Sequence, residues 1–515
     1  MLKNPDAGLI NDDIKPTTEA ERHWSVLNMA SLWVGMVVCV PTYMLAGSLI
    51  DQGMNWWQAV MTIMVGNVVV LVPMILNGHA GTKYGVPFPV LARASFGIHG
   101  AHIPSLLRAL VACGWFGIQT WFGGFAIYQL LNAVLPKRSI AGEDGASILV
   151  GALETADLPV LGINGAEFGC FLLFWALQVV VIYFGVESIR WLETVAAPFL
   201  IGIGLLLLGW AVYQVGGLQP MLDLPSAFAE GGEKEGQFMS VFIPSLTAMV
   251  GFWATLSLNI PDFTRYAKSQ RDQILGQALG LPTTMTLFAF ISVAVTAATT
   301  VIFAKDGIPA DPIGDPTVLA GEIGGGVTVA ISLFALAIAT LSTNIAANVV
   351  SPANAMINVA PGRVNFQLGG YITAGLGVAI FPWKLIESTG GYIFTWLIGY
   401  SALLGPIVGI LIVDYFVLRR THFDLNGLYR YKGPYTYWRG FNPAALIAFF
   451  IAVLPNLPGF FHQAGLIESV PPIFDTIYLY AWFVGFFIAS GLYVLLMTVI
   501  PHGSIPESTD SEAAQ

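Results

Sequence analysis

Charge is what this sequence has least of. Asp, Glu, Lys and Arg make up 10% of its 515 residues, while 56% are hydrophobic. A typical soluble domain carries about 25% charged residues. A water-soluble globule of this length could not hide so much apolar surface, so the bilayer is its natural solvent. Cysteine is nearly missing as well. Cys39, Cys113 and Cys170 are far apart and lie in or beside apolar runs, which excludes a disulfide framework and a zinc spacing and leaves small buried hydrophobes. There is no HExxH and no pair of carboxylates inside an apolar stretch. A membrane-embedded enzyme would need such a base, nucleophile or metal cluster, so no enzyme is expected. The polar first 22 residues lead into no short apolar signal core, and no cleaved secretion signal is expected.

Long charge-free runs are what remains. Twelve of them last 19 residues or more: 23–50, 52–82, 109–136, 168–186, 194–222, 236–261, 273–304, 323–362, 364–383, 388–413, 440–467 and 476–506. A helix needs about 20 mostly apolar residues to cross the hydrocarbon core, so the pattern predicts an all-α integral membrane protein with twelve transmembrane helices. Stretches such as "IGIGLLLLGWAV" do not alternate as porin-type strands do. With twelve spans and the N-terminus inside, inner segments hold 16 of the 21 Lys and Arg residues, the sense expected of cytoplasmic loops. Both termini are therefore expected in the cytoplasm. The net charge of −10 comes largely from acidic loops and the terminal "SIPESTDSEAAQ", which reads as a short disordered tail.

Two spans look discontinuous. In the first, "SLWVGMVVCVPTYMLAG", Pro41 has no N–H and its ring crowds the carbonyl of Val37, while Gly35 adds local freedom. In the sixth, "PSLTAMVGFWATLSLNIPDF", Gly251 sits mid-helix. The two breaks are five helices apart, the spacing that an inverted repeat of five plus five would place face to face at mid-membrane. Ordinary kinking is the alternative, since Gly and Pro are frequent in membrane helices.

The third span carries "CGWFGIQTWFGG". Trp115 and Gln119 are four apart and share one helix face; an indole plane beside a primary amide suits a flat heterocycle. The sixth span supplies Trp253. The eighth, "ATLSTNIAANVVSPAN", is unusually polar, with Ser342, Thr343, Asn344 and Asn348. Interfacial anchoring and helix–helix hydrogen bonding are the plainer readings of such residues. No ionisable residue sits near the centre of a predicted span: His79, His99, His102 and His462 fall in loops or near ends, and Asp414 lies close to Arg419 and Arg420. Intramembrane charge marks proton relays or charged ligands, so its absence points to an uncharged substrate and to Na⁺ rather than H⁺.

These blocks, with "GMNWWQA", "GTKYGVPFPVLARASFG", "FWATLSLNIPDFTRYAKSQRDQILGQALGLP" and "YSALLGPIVGILIVDYF", resemble the nucleobase:cation symporter-1 family, closest to its plastidic nucleobase transporters and bacterial uracil permease-like members. The similarity runs from about Asn28 to the last span. It implies a LeuT-type fold with discontinuous helices 1 and 6: residues 1–24 a cytoplasmic segment, 25–215 and 216–418 two inverted five-helix repeats, 419–500 two further helices and 501–515 a cytoplasmic tail. It implies that the substrate ring lies between Trp115 and Trp253, with Gln119 and Asn348 reading its polar edge. It also implies a cation held by backbone oxygens of Gly35, Val38 and Ala339 and the hydroxyls of Ser342 and Thr343, a hard-oxygen set. Cys39 stands where the hydantoin branch has glutamine, Phe252 where it has glycine, and Gln119 where plastidic relatives have glutamate. The expectation is a symporter that imports a nucleobase, uracil first, or allantoin or a hydantoin, by alternating access, coupled to Na⁺ or H⁺. It would act as a monomer in the plasma (inner) membrane, with no nucleic-acid partner and no cofactor beyond the ion. A channel or a substrate-sensing receptor is the remote alternative.

Overall fold

The computed structural model describes residues 2–134, 157–158, 161–184, 186–306, 308–323, 326–386 and 391–500. The expected tail 501–515 and most of the outer loop 135–165 lie outside the described residues.

The first predicted break is present. Helix α1 (Val26–Val37) stops at the residue whose carbonyl Pro41 would crowd, and α2 (Val40–Asp51) restarts at an angle of 62° to it. Between them Val38 has φ −81° and ψ 83°, and Cys39 is extended. Pro41 sits in the first turn of α2, where its missing N–H costs nothing. The Cys39 N–H turns back to the Val37 carbonyl (3.0 Å), which releases the Gly35 carbonyl from its ordinary i→i+4 partner.

The chain continues through α3 (Trp56–Tyr84), the short α4 (Phe88–Phe96), α5 (His102–Val134), α6 (Gly165–Phe184) and α7 (Val186–Val215). The second half holds α8 (Phe238–Asn259), α9 (Gln270–Ile302), α10 (Gly326–Asn348), α11 (Val350–Val359) and α12 (Phe366–Ala379). Then come α13 (Ile398–Ile412), between π-helical turns, and α14 (Pro443–Val453) and α15 (Ala481–Val499). Among the described residues nine helices are long and apolar enough to cross a membrane, and the bent α1–α2 pair makes ten. Helices α7 and α12 occupy the places of the fifth and ninth expected spans. α7 has 30 residues, of which Ile201–Val215 counts as a shorter apolar helix among the described residues, and α12 has 14, fewer than the roughly 20 that cross unaided, so the all-helical membrane fold is as expected while the count of twelve spans is not matched exactly among the described residues.

The second predicted break is displaced. Helix α8 runs unbroken through Gly251 and is interrupted at Ile260, before the short turn Pro261–Thr264. Gly251 is there for closeness: a Cβ on it would lie 2.8 Å from the Leu397 carbonyl oxygen and nearer still to Ser401 Oγ on α13. Gly251→Val is therefore expected to destabilise the protein by about 1–3 kcal/mol, the usual cost of overpacking, read as an earlier thermal melt in detergent; an unchanged melt would remove this account of the glycine.

Packing divides the helices. α9 lies against α1, α2 and α3, and α3 against α8; α5 lies against α6, α10, α11 and α12. α13 backs onto α8 and joins α14 and α15. At the end that carries most basic residues, charged groups are buried and paired. Arg93 donates to Asn358 Oδ1 and to the carbonyls of Leu9 and Leu428. Arg419 pairs with Asp414 at 2.8 Å, and Ser95 and Tyr493 donate to the same carboxylate. The N-terminal residues are docked, not loose: Thr17 N–H bonds the Gly85 carbonyl, Trp24 N–H the Tyr266 carbonyl and Asp6 N–H the Tyr429 carbonyl.

Candidate functional site

A small cavity of about 30 Å³ lies between α1, α5, α8 and α10. Its wall includes Cys39, Trp115, Gln119, Phe252, Trp253, Thr255, Thr343 and Asn348. All six residues expected at the substrate, Trp115, Gln119, Trp253, Asn348, Cys39 and Phe252, thus border one space, and none of its lining residues is charged.

The aromatic wall differs from a simple slot between two indoles. Phe252 meets Trp115 (ring centroids 5.2 Å apart) and Trp253 (5.0 Å), edge-on to both. Trp115 is held from behind, since its Nε1–H donates to Tyr400 Oη (3.3 Å), and Tyr400 donates in turn to the Gly251 carbonyl (2.9 Å). Trp253 packs edge-on against Trp33 (5.3 Å), and its own Nε1–H has no partner among the described residues.

The polar wall is fixed by a relay that begins away from the cavity. The Asn344 amide nitrogen donates to the Phe116 carbonyl (2.9 Å) and to Gln178 Oε1 (2.6 Å), and Gln178 donates to Thr120 Oγ1 (2.8 Å). A backbone carbonyl can only accept, so it sets the amide of Asn344, whose Oδ1 then accepts from the Asn348 amide nitrogen (2.9 Å). Asn348 is left with its carbonyl oxygen for the cavity. Gln119 Oε1 is buried without a partner among the described residues. The wall therefore holds two amide oxygens that accept, and the Gln119 amide nitrogen and Trp253 indole N–H that donate, a mixed set suited to a planar ring that carries both N–H and C=O groups.

Beside this wall, the Thr343 hydroxyl donates to the freed Gly35 carbonyl at 3.0 Å, which brings α10 onto the break between α1 and α2. Ser342 and Ala339 are buried on the same helix. Gly35 itself is not demanded by packing, because a Cβ there would meet nothing within 4 Å. Val38 and Ala339 also border a second, apolar space on the far side of Cys39, with Tyr43, Leu207 and Phe288. A larger hollow of about 590 Å³ lies beyond Phe122, one turn from Gln119, and is bordered by Trp121, Trp383, Glu167, Asp315 and Lys384.

The expectation of uncharged span centres says nothing of their ends. The protein interior is not free of charge near the cavity. Arg108, 1% exposed, lies two turns from Trp115 on α5, and Asp262, 2% exposed, follows the end of α8. Arg108 donates to Asn259 Oδ1 (3.1 Å) and to the Ala347 carbonyl (3.3 Å), and Asp262 accepts from the Phe88 N–H (2.9 Å). Burial pushes the Asp262 carboxyl above its ordinary range, against the pull of Arg265 and Arg108. Sequence grouped Arg108 with the inner loops because the charge-free run starts after it; only the packing of α5 on α11 shows it to be enclosed.

A broken first helix, an uncharged aromatic cavity beside the break and helices too apolar for water together define a polytopic membrane transporter. The chain belongs to the family of permeases for cytosine/purines, uracil, thiamine and allantoin, whose model matches residues 16–485. It is 46% identical to the purine-uracil permease NCS1 of Arabidopsis thaliana, over 96% of this chain and 78% of that one. It is 38% identical to the allantoin permease of Bacillus subtilis (strain 168), over 98% and 96%. Among solved structures it resembles Mhp1, a nucleobase-cation-symport-1 family transporter, in a closed conformation with bromovinylhydantoin bound, with a TM-score of 0.73, 26% identity and coverage of 96% and 98%. The protein is thus a multi-pass secondary transporter of LeuT-type fold, and not an enzyme.

Proposed function

We propose that this permease imports a cyclic ureide (a planar ring with the N–H, C=O, N–H unit), with uracil as the first candidate and allantoin or a hydantoin as the alternative. The observation that carries the reading is a mixed set of acceptors and donors in an uncharged, aromatic cavity: amide oxygens at Gln119 and Asn348, and N–H donors at the Gln119 amide and the Trp253 indole. The names of the purine-uracil and allantoin permeases among its relatives support the same class. Trp115 and Phe252 supply flat faces and edges against the ring. Cys39 takes little room at the helix break. The driving ion is Na⁺ or H⁺. For Na⁺, the oxygens of Gly35, Val38, Ala339, Ser342 and Thr343 make a chemically apt set, because a hard cation prefers oxygen ligands. The protein would work as a monomer in the plasma membrane with both termini in the cytoplasm, as the bias of its basic residues favours.

The decisive experiment is uptake of radiolabelled uracil into proteoliposomes under imposed Na⁺ or H⁺ gradients, with allantoin, hydantoin and cytosine as competitors. Gradient-driven uptake inhibited by the ureides is expected; absence of uptake for every ring tested would end the reading, and flux indifferent to either gradient would favour a channel. In the same assay Thr343→Ala should lose most of any sodium stimulation. An unaltered sodium dependence would rule out the cation site.

A further inference from the structure

Below the cavity, on the side of the basic end, lies a group of buried polar atoms with no hydrogen-bond partner among the described residues: Arg108 Nη1, Asn259 Nδ2, Asp262 Oδ2 and Ser351 Oγ. Their side chains come from three walls of the same route. Asn259 is about one turn beyond Thr255 and Leu256 on α8, Ser351 is one turn beyond Ala347 and Asn348 past the kink into α11, and Arg108 is two turns from Trp115 on α5. All four residues are at most 2% exposed. They are neighbours: Arg108 bonds Asn259 and the Ala347 carbonyl, its charge acts on the Asp262 carboxylate, and the Ser351 hydroxyl lies within reach of that carboxylate as a weak donor. Buried polar groups left unpaired cost about 1–3 kcal/mol each. Four in one place, all under the wall of a transport cavity, are not explained by packing alone.

The free atoms also have a definite chemistry. Arg108 and Asn259 present N–H donors, Asp262 presents an acceptor, and Ser351 can do either. Two donors and one acceptor match, in number and kind, an imide unit of two carbonyls around one N–H. A ring such as uracil carries both units: the ureide edge assigned to the central cavity and the imide edge next to it.

We propose that Arg108, Asn259, Asp262 and Ser351 form an exit-side station that takes the imide edge of the substrate after it leaves the central cavity. The proposal rests on the ureide reading of the central site. It gives the enclosed Arg108 and Asp262 a role in transfer. It also requires a carried ring to have an imide as well as a ureide, so cytosine and adenine, which lack one, would be poor cargo even where they enter the cavity.

The test uses 5-bromouracil with the full-length protein crystallised in an inward-open state, located by its bromine anomalous signal, alongside uracil uptake and equilibrium binding by Asp262→Asn and Ser351→Ala. Bromine is expected beside Arg108 as well as next to Trp115. Both variants should take up uracil at least about tenfold more slowly, the loss that goes with one buried charge-assisted or neutral hydrogen bond left unmade, while equilibrium binding by the central cavity stays within about twofold. Bromine next to Trp115 alone overturns the station, whatever the variants do, and leaves the substrate class standing. Bromine beside Arg108 with unchanged uptake in both variants means binding at crystal concentration only, and overturns it too. No bromine at either place, with no uptake by the unaltered protein, sinks the ureide reading instead. Ser351→Ala keeps the test open if Asp262→Asn fails to fold.

Discussion

Trp115→Ala is expected to cut uracil uptake by roughly 5- to 150-fold, the worth of about 1–3 kcal/mol for a base stacked on an aromatic face. The loss should fall on affinity, because Trp115 lines the cavity. It also strips Tyr400 of its indole donor and leaves Phe252 without one of its two ring neighbours. Asn348→Ala should be as damaging by another route. It removes an acceptor from the cavity and orphans Asn344 Oδ1, and a buried group left unmatched costs about 1–3 kcal/mol. The measurement is initial uptake rate against uracil concentration, with size-exclusion profiles and thermal melts to show folded protein. Normal uptake in both variants would remove the cavity from the transport route.

Asp414→Ala should unfold the protein more readily than any change in the cavity. The Asp414 and Arg419 side chains are 0% and 3% exposed and 2.8 Å apart, and Ser95 and Tyr493 also donate to that carboxylate. Removing the acid leaves an enclosed guanidinium without its counter-charge, which costs about 3–5 kcal/mol, a large part of the 5–15 kcal/mol by which folded proteins commonly persist. Replacing both partners with apolar side chains should be milder, since the desolvation penalty then disappears with the charges. Thermal melts of Asp414→Ala and of Asp414→Leu with Arg419→Met decide it; a single variant as stable as the double would show that the pair is dispensable.

How far the sequence could be read depended on the range of the forces involved. Spans were legible because burial in lipid acts on every residue of a run, so charge-free stretches mark them directly. The break in the first helix was legible too, for Pro41 acts on a carbonyl four residues away and α1 ends there. The sixth span was misread at Gly251 because a glycine has two uses, flexibility and closeness, and only the position of Leu397 and Ser401 tells which applies. Pro261 was the better signal for where α8 is interrupted. Gln178 was missed altogether. It was a lone amide in an otherwise apolar fourth span, and such a residue needs a partner; that partner, Asn344, is 166 positions away. Arg108 and Asp262 escaped for the same reason, since each sits at the edge of a charge-free run and only tertiary packing encloses them.

The amide chain from Phe116 to Asn348 has an effect on selectivity. What Asn348 presents to the cavity is decided by a main-chain oxygen and by Gln178, neither of which lines it. On the proposed reading, preference among rings would be stored one layer behind the cavity surface, and exchanging Gln178 should alter which molecules are admitted while every side chain lining the cavity keeps its identity.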